Sequence, residues 1–289
     1  MQTPRISASS YSNTAPLIWS FLYGRNHGKV EIILDNAPAR SAELLARDRV
    51  DAALVPVIAY QMIDDVRLIP NVCVGATKKV RSVCLVTKGE DLADVRSVSL
   101  DISSKTSVAL TKIIFREFLG FEPEWRDAEP NIDAMLASSD AALIIGDPAL
   151  SIAECGLGNA ERTGVEFDDQ RSKIKNPRSN TQDHLRKFDL GELWHNYTGL
   201  GFVFAMWMTK KEACPIDFAS ARDEGLSHAD EIAANYASEI GLSLDDMKRY
   251  LTENISYSVD ESMREGMDLY FELATRHGLI DANKPLIFV

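Results

Sequence analysis

The sequence predicts an α/β protein built as two lobes, each a mostly parallel sheet flanked by helices. Three observations carry this. Over residues 5–55, short apolar runs alternate with amphipathic segments in the order strand, helix, strand, helix, strand, the pattern of a parallel sheet with helices packed on it. The same alternation starts afresh after Lys88-Gly89-Glu90. A strongly apolar run over residues 202–208 follows a long polar stretch and returns the chain to the first sheet. The expected division is residues 1–87 with 202–289 in lobe I and 88–201 in lobe II, hinged at residues 87–90. A chain of 289 residues, 45% of them hydrophobic, can fill cores of that size.

Each element has a local reason. Arg5-Ile6-Ser7-Ala8-Ser9 alternates apolar and polar positions, as a strand does. The next helix has Leu17, Ile18, Phe21 and Leu22 on one face and Gly24 as its stop. Pro16 suits its start, where a missing N–H has no intrahelical partner. Residues 30–34 alternate as a strand, and Pro38 opens a helix that runs to Arg47. Residues 50–55 form the next strand, stopped by Pro56. Residues 72–74 and 80–86 are expected to pair as a hairpin through the polar turn 76–79.

In the second lobe, strands are expected at residues 98–100, 121–125 and 141–145. Helices are expected at 107–119, ended by Gly120, and at 132–137. Residues 156–187 are polar and lack apolar periodicity, which predicts a surface excursion. The C-terminal part is helical: residues 232–240, then helices opened by Ser243-Leu244-Asp245-Asp246 and Ser258-Val259-Asp260-Glu261, both similar to capping boxes. Met263, Met267, Tyr270, Phe271 and Ala274 give the last helix an apolar face.

Composition narrows the function. The net charge is −12 with no Lys/Arg-rich block, so nucleic acid and anionic membranes are poor partners. A small anionic substrate is not excluded, because a pocket can be locally positive on an acidic protein. The N-terminus shows no basic flank followed by a long apolar run, and no stretch is long enough to span a bilayer. Four scattered cysteines argue against a disulfide framework, and a cytoplasmic setting is expected. His27, His184, His195, His228 and His277 show no metal-ligand spacing. No phosphate-binding loop, dinucleotide glycine pattern or G-x-S-x-G is present. No metal or cofactor is signalled, and both a monomer and a dimer are open.

The richest stretch is Ser10-Tyr11-Ser12-Asn13-Thr14-Ala15-Pro16, where a strand hands over to a helix. Such hydroxyls and a carboxamide serve equally as helix caps or as ligand donors at the carboxyl end of a strand. A later pair of runs, Asp189-Leu190-Gly191-Glu192-Leu193-Trp194 and residues 198–207 (TGLGFVFAMW), shifts the balance. Together they resemble the chorismate dehydratases of the futalosine route to menaquinone, which share the two-lobed periplasmic-binding-protein type II-like fold. The resemblance runs from Ser10 to about Trp207. Thr106 and Ser107 match its second-lobe helix start and imply a substrate-carboxylate site, the other reading being simple capping by Ser104 or Thr106. Val80-Arg81-Ser82-Val83 matches its V-x-S-V run, although Lys78-Lys79 stands where the family usually has Gly-Pro. Residues 144–150 (IIGDPAL) match its L-I-G-D-x-A-L run, placing Asp147 as a cleft carboxylate or an N-cap.

The resemblance implies a lyase that dehydrates chorismate to 3-[(1-carboxyvinyl)oxy]benzoate without metal or cofactor. It implies that the substrate's own enolpyruvyl carboxylate takes the proton. Asn13 and Ser82 would then be catalytic, with Ser10, Tyr11, Thr14, Arg81, Thr106, Ser107 and Asp147 binding substrate. The alternatives are a 1,4-dihydroxy-6-naphthoate synthase-like lyase of the same fold, a non-enzymatic solute-binding protein, and a ligand-sensing module.

Overall fold

A computed structural model describes residues 3–35, 37–152 and 185–289. The chain begins β1 (Arg5–Ser9), α1 (Ala15–Leu22), β2 (Glu31–Asp35), α2 (Pro38–Ala46), β3 (Ala52–Pro56), α3 (Ala59–Met62) and β4 (Arg67–Ala76). Then come β5 (Val83–Thr87), β6 (Ser97–Asp101), α4 (Lys105–Ile113), β7 (Glu124–Ala128), α5 (Ile132–Ser138), β8 (Ala141–Ile145) and α6 (Asp147–Ser151). After the undescribed stretch 153–184 follow β9 (Arg186–Asp189), α7 (Leu190–Thr198), β10 (Phe202–Thr209), α8 (Phe218–Ser227), α9 (Ala229–Ile240), α10 (Leu244–Arg249) and α11 (Glu261–Arg276).

The strands form two five-stranded mixed sheets, ordered β2-β1-β3-β10-β4 and β7-β6-β8-β5-β9. In each, three strands are parallel and the fourth position is taken by an antiparallel strand: β10 beside β3 and β4 in the first, β5 beside β8 and β9 in the second. The two inserted strands mark the two crossings between sheets. One contiguous apolar core joins both sheets and includes Ile6, Trp207, Trp194 and Leu143.

Several expectations need correction. Residues 83–87 belong to the second sheet, so the first crossing lies at 77–82 and not at 87–90. The hairpin between residues 72–74 and 80–86 does not form; β4 pairs with β10 instead. The reason is physical: Val83–Thr87 is buried at every position, so it needs a neighbour on both edges, and β8 and β9 supply them. The strand expected at 121–125 starts at Glu124. The last helix is capped by Asp260, whose carboxylate accepts from Met263 N–H, and not by Ser258. Ser243 does cap α10, accepting from Asp246 N–H. Most of the polar excursion expected at 156–187 lies outside the described residues, and Arg186 and Lys187 open β9.

The start of α1 is set by its neighbour α8. A Cβ added to Gly225 would stand 1.9 Å from the carbonyl oxygen of Pro16, so only glycine lets the two helices approach this closely. The adjacent Glu224 carboxylate accepts from Ser20 Oγ and from the Arg25 backbone at 3.0 Å. Gly225→Ala must therefore push α8 off the first turn of α1. Chemical denaturation should show a loss of about 1–3 kcal/mol, the usual cost of overpacking; an unchanged midpoint would contradict this packing.

Candidate active site

The loop between β1 and α1 is not a simple helix cap. Thr14 occupies the N-cap position but its side chain makes no capping bond. Its Oγ1 pairs instead with Ser9 Oγ at 2.9 Å and donates to Asn13 Oδ1 at 3.4 Å. The loop is pinned from the other sheet. Asp147 follows β8, and its carboxylate accepts from Ser12 N–H at 3.1 Å and from Ser12 Oγ. The N-cap of α6 is Gly146, so Asp147 serves the loop and does not cap its own helix. Burial pushes the Asp147 carboxyl above the usual carboxylate range, and the Ser12 bonds pull it partly back.

A second carboxylate, this one buried, holds the other half of the site. Asp189 ends β9 and caps α7 by accepting from Glu192 N–H at 3.0 Å. The same side chain accepts from Val80 N–H at 3.1 Å and from Arg81 N–H. Burial raises its pKa, while these three backbone donors and Lys79 oppose the shift. A Cβ on Gly191 would lie 2.7 Å from the Lys78 carbonyl oxygen, so the glycine admits this close approach. Trp194 Nε1 donates to Gly201 O at 3.1 Å and anchors the far end of α7. The Asp-Leu-Gly-x-x-Trp run is thus a clamp on residues 78–81, which turn sharply through Arg81 at φ +65°.

These two clamps bring Asn13 and Ser82 together. Asn13 Nδ2 donates to Ser82 Oγ at 3.5 Å across the junction of the sheets. Ser82 is fully buried, and its carbonyl accepts from Gly146 N–H at 2.7 Å. Gly146 has φ +67°, and a Cβ there would meet the Tyr11 ring at 2.8 Å. Tyr11 therefore packs flat on backbone. Its phenol is pushed up to about 12, first by burial and then by Asp101.

Asn13 and Tyr11 line a cavity between the sheets together with Thr14, Thr106, Ser107 and apolar groups such as Leu54, Val83, Ile145 and Phe204. Its volume is about 60 Å³, well below the roughly 300–1,000 Å³ of ordinary ligand pockets. The walls must part to admit a substrate. Thr106 and Ser107 stand in the first turn of α4, whose N-cap Ser104 makes no side-chain capping bond. Thr106 is a cross-sheet staple: Oγ1 accepts from Ile58 N–H at 3.2 Å, and its carbonyl accepts from Tyr270 Oη at 3.1 Å. The Ile58 bond takes one lone pair of the Thr106 hydroxyl, and Ser107 also lines the cavity at the start of the same helix.

Four expected site residues, Ser10, Arg81, Ser82 and Asp147, do not line the cavity; Ser82 bonds to the lining residue Asn13, and Asp147 holds Ser12. Arg81 sends its guanidinium to Asp246 on α10, at 3.1 and 2.8 Å, so it braces the Ser82 segment. Ser10 does not line the cavity; its N–H donates to Asp35 O at 2.9 Å. Sequence reasoning missed the clamping carboxylate Asp189, although its motif was visible, because the partner segment lies more than a hundred positions away.

Comparison with known proteins agrees with this architecture. The profile of the menaquinone biosynthesis family matches residues 4–276. A chorismate dehydratase from Thermus thermophilus is 29% identical over 246 residues, covering 83% of this chain and 85% of the relative. A Candida albicans protein with the generic periplasmic-binding-protein fold superposes with a TM-score of 0.64 at 11% identity, covering 98% of this chain and 92% of that one. The periplasmic aliphatic sulphonate binding protein SsuA from Escherichia coli gives 0.59 at 16% identity, covering 99% and 93%. At these identities the two structures show the fold alone.

The sign of one titration tests the loop clamp. Burial raises the Asp147 pKa above its ordinary 3.8, so the folded protein binds that proton more readily than the unfolded chain does. The contribution is fully present below pH 3.8 and is lost as pH rises through the raised value. Asp147→Asn has no such dependence. Denaturant melts between about pH 7 and pH 4 should show wild type gaining stability relative to this variant as pH falls; a gap that moves the other way would contradict the placement.

Proposed function

This chain belongs to the menaquinone biosynthesis family, and we propose that its cleft binds chorismate and eliminates water to give 3-[(1-carboxyvinyl)oxy]benzoate. The observation that carries this reading is the Asn13–Ser82 pair, one member from each side of the junction, held by the buried Asp189 and the half-buried Asp147 beside a largely apolar cavity. The named relative from Thermus thermophilus supports the substrate.

The chemistry asks little of protein acids and bases. The proton on C3 of chorismate is acidified through the conjugated ring carboxylate. The C3–H bond breaks, its electron pair enters the ring, and the C4 hydroxyl leaves; with the proton it makes one water. Aromatisation drives the step forward. The enolpyruvyl carboxylate on the C3 oxygen is the nearest base. The protein then contributes orientation and hydrogen bonds, each able to lower the barrier substantially when preorganised. In this assignment Asn13 and Ser82 act on the reacting edge. The first turn of α4, with Ser107, receives a carboxylate. Tyr11 and the apolar wall flank the ring. Thr106 and Asp147 hold the two halves in register.

Incubation with chorismate should remove its ultraviolet diene absorbance and yield the aromatic product. Asn13→Leu should lower kcat by about 10²-fold or more while KM moves only a few-fold, because the amide acts on the reacting geometry. An unchanged diene band with wild type would refute the reaction, and a raised KM at normal kcat in the variant would refute the role of Asn13.

A further inference from the structure

A buried hydroxyl beside the site has no role in the account so far. Tyr250 opens the π-helical turn Tyr250–Asn254 that continues α10. Single π turns are frequent at functional positions. The Tyr250 side chain is fully buried, and its Oη makes no well-formed hydrogen bond among the described residues, although Ser82 and Asn13 stand within reach of it. An unpaired buried hydroxyl is costly, so one that persists calls for an explanation.

The phenol stands beside Ser82 and Asn13. Its helix is fastened to that neighbourhood on both sides. One turn before it, Asp246 takes both guanidinium bonds from Arg81. One turn after it, Asn254 Nδ2 donates to Lys79 O at 3.3 Å. The groups it faces are loosely bonded: Asn13 Nδ2 reaches Ser82 Oγ at 3.5 Å, and Ser82 Oγ reaches Val80 O at 3.4 Å. Three buried polar groups thus stand together with fewer good bonds than they are able to make.

We propose that Tyr250 is the positioning residue of the Asn13–Ser82 pair, its O–H taking over as donor to Ser82 Oγ when the Asn13 amide turns toward the substrate. The exchange leaves no group unpaired, so Asn13 is released without a penalty at Ser82. The kinetic consequence rests on the dehydration reading; the hydrogen-bond exchange rests on the geometry alone.

The test is Tyr250→Phe, with Tyr257→Phe as control. Tyr257 Oη is also buried and unpaired among the described residues, but it lies beside Cys73 and Tyr250 rather than at the pair. With chorismate, Tyr250→Phe should lose about 10- to 100-fold in kcat with KM within about threefold, and should melt no lower than wild type. Tyr257→Phe should keep its kcat. Full kcat in Tyr250→Phe, or an equal fall in both variants, overturns the proposal. If wild type does not consume chorismate, the dehydration reading fails by itself and the exchange is read by hydrogen exchange of the Asn13 side-chain amide. That amide should exchange several-fold more slowly in Tyr250→Phe than in wild type or Tyr257→Phe, because opening then strands Ser82. An equal or faster rate overturns the inference; a merely structural loosening would quicken it.

Discussion

The site depends on one buried carboxylate more than on any other group. Asp189 accepts from three backbone N–H groups in two segments, residues 80–81 and the first turn of α7. Those segments flank the two passages of the chain between its sheets. Three backbone donors offset part of the cost of burying its charge, and burial still leaves its carboxyl above the usual range. Without it the sharp turn at Arg81 would lose its two backbone bonds, and the place of Ser82 relative to Asn13 would rest on the Gly146 and Asp246 contacts. Asp147 repeats the device on the other side, where it holds Ser12. Two carboxylates at strand ends thus set the relative position of two uncharged side chains.

This division of labour explains why the cavity carries hydroxyls, an amide and apolar surface. The charged groups are spent on architecture. Arg81 braces α10, and Asp147 and Asp189 grip backbone. What faces the cavity is uncharged, a few polar groups on a largely apolar wall, which suits the proposed dianion that carries its own base. On the proposed reading, a protein with a net charge of −12 would hold such a ligand by local donors at a helix start rather than by its long-range field.

Much of this was legible in the sequence. The period-two strand over Arg5–Ser9, the apolar face of α1 and the restart after Glu90 each follow from local pattern, and the structure places them accordingly. The run Val83–Thr87 was misplaced because a strand buried at every position has no face to reveal its sheet. Thr106 was read as a ligand donor, and its bond to Ile58 N–H depends on a segment almost fifty positions away. Tyr250 left no signal at all, since an aromatic residue in a helix reads as core. Motifs reported which residues mattered; only the three-dimensional contacts separated those that touch the cavity from those that hold it.

The central claim is that Asn13 and Ser82 work as one unit, and a double-mutant cycle on chorismate turnover measures this directly. Asn13→Ala, Ser82→Ala and the double variant would be compared by kcat. If the pair acts together, the double variant should lose little more than the worse single variant, giving a coupling of about 1 kcal/mol or more. Losses that simply multiply would show two independent residues and contradict the account.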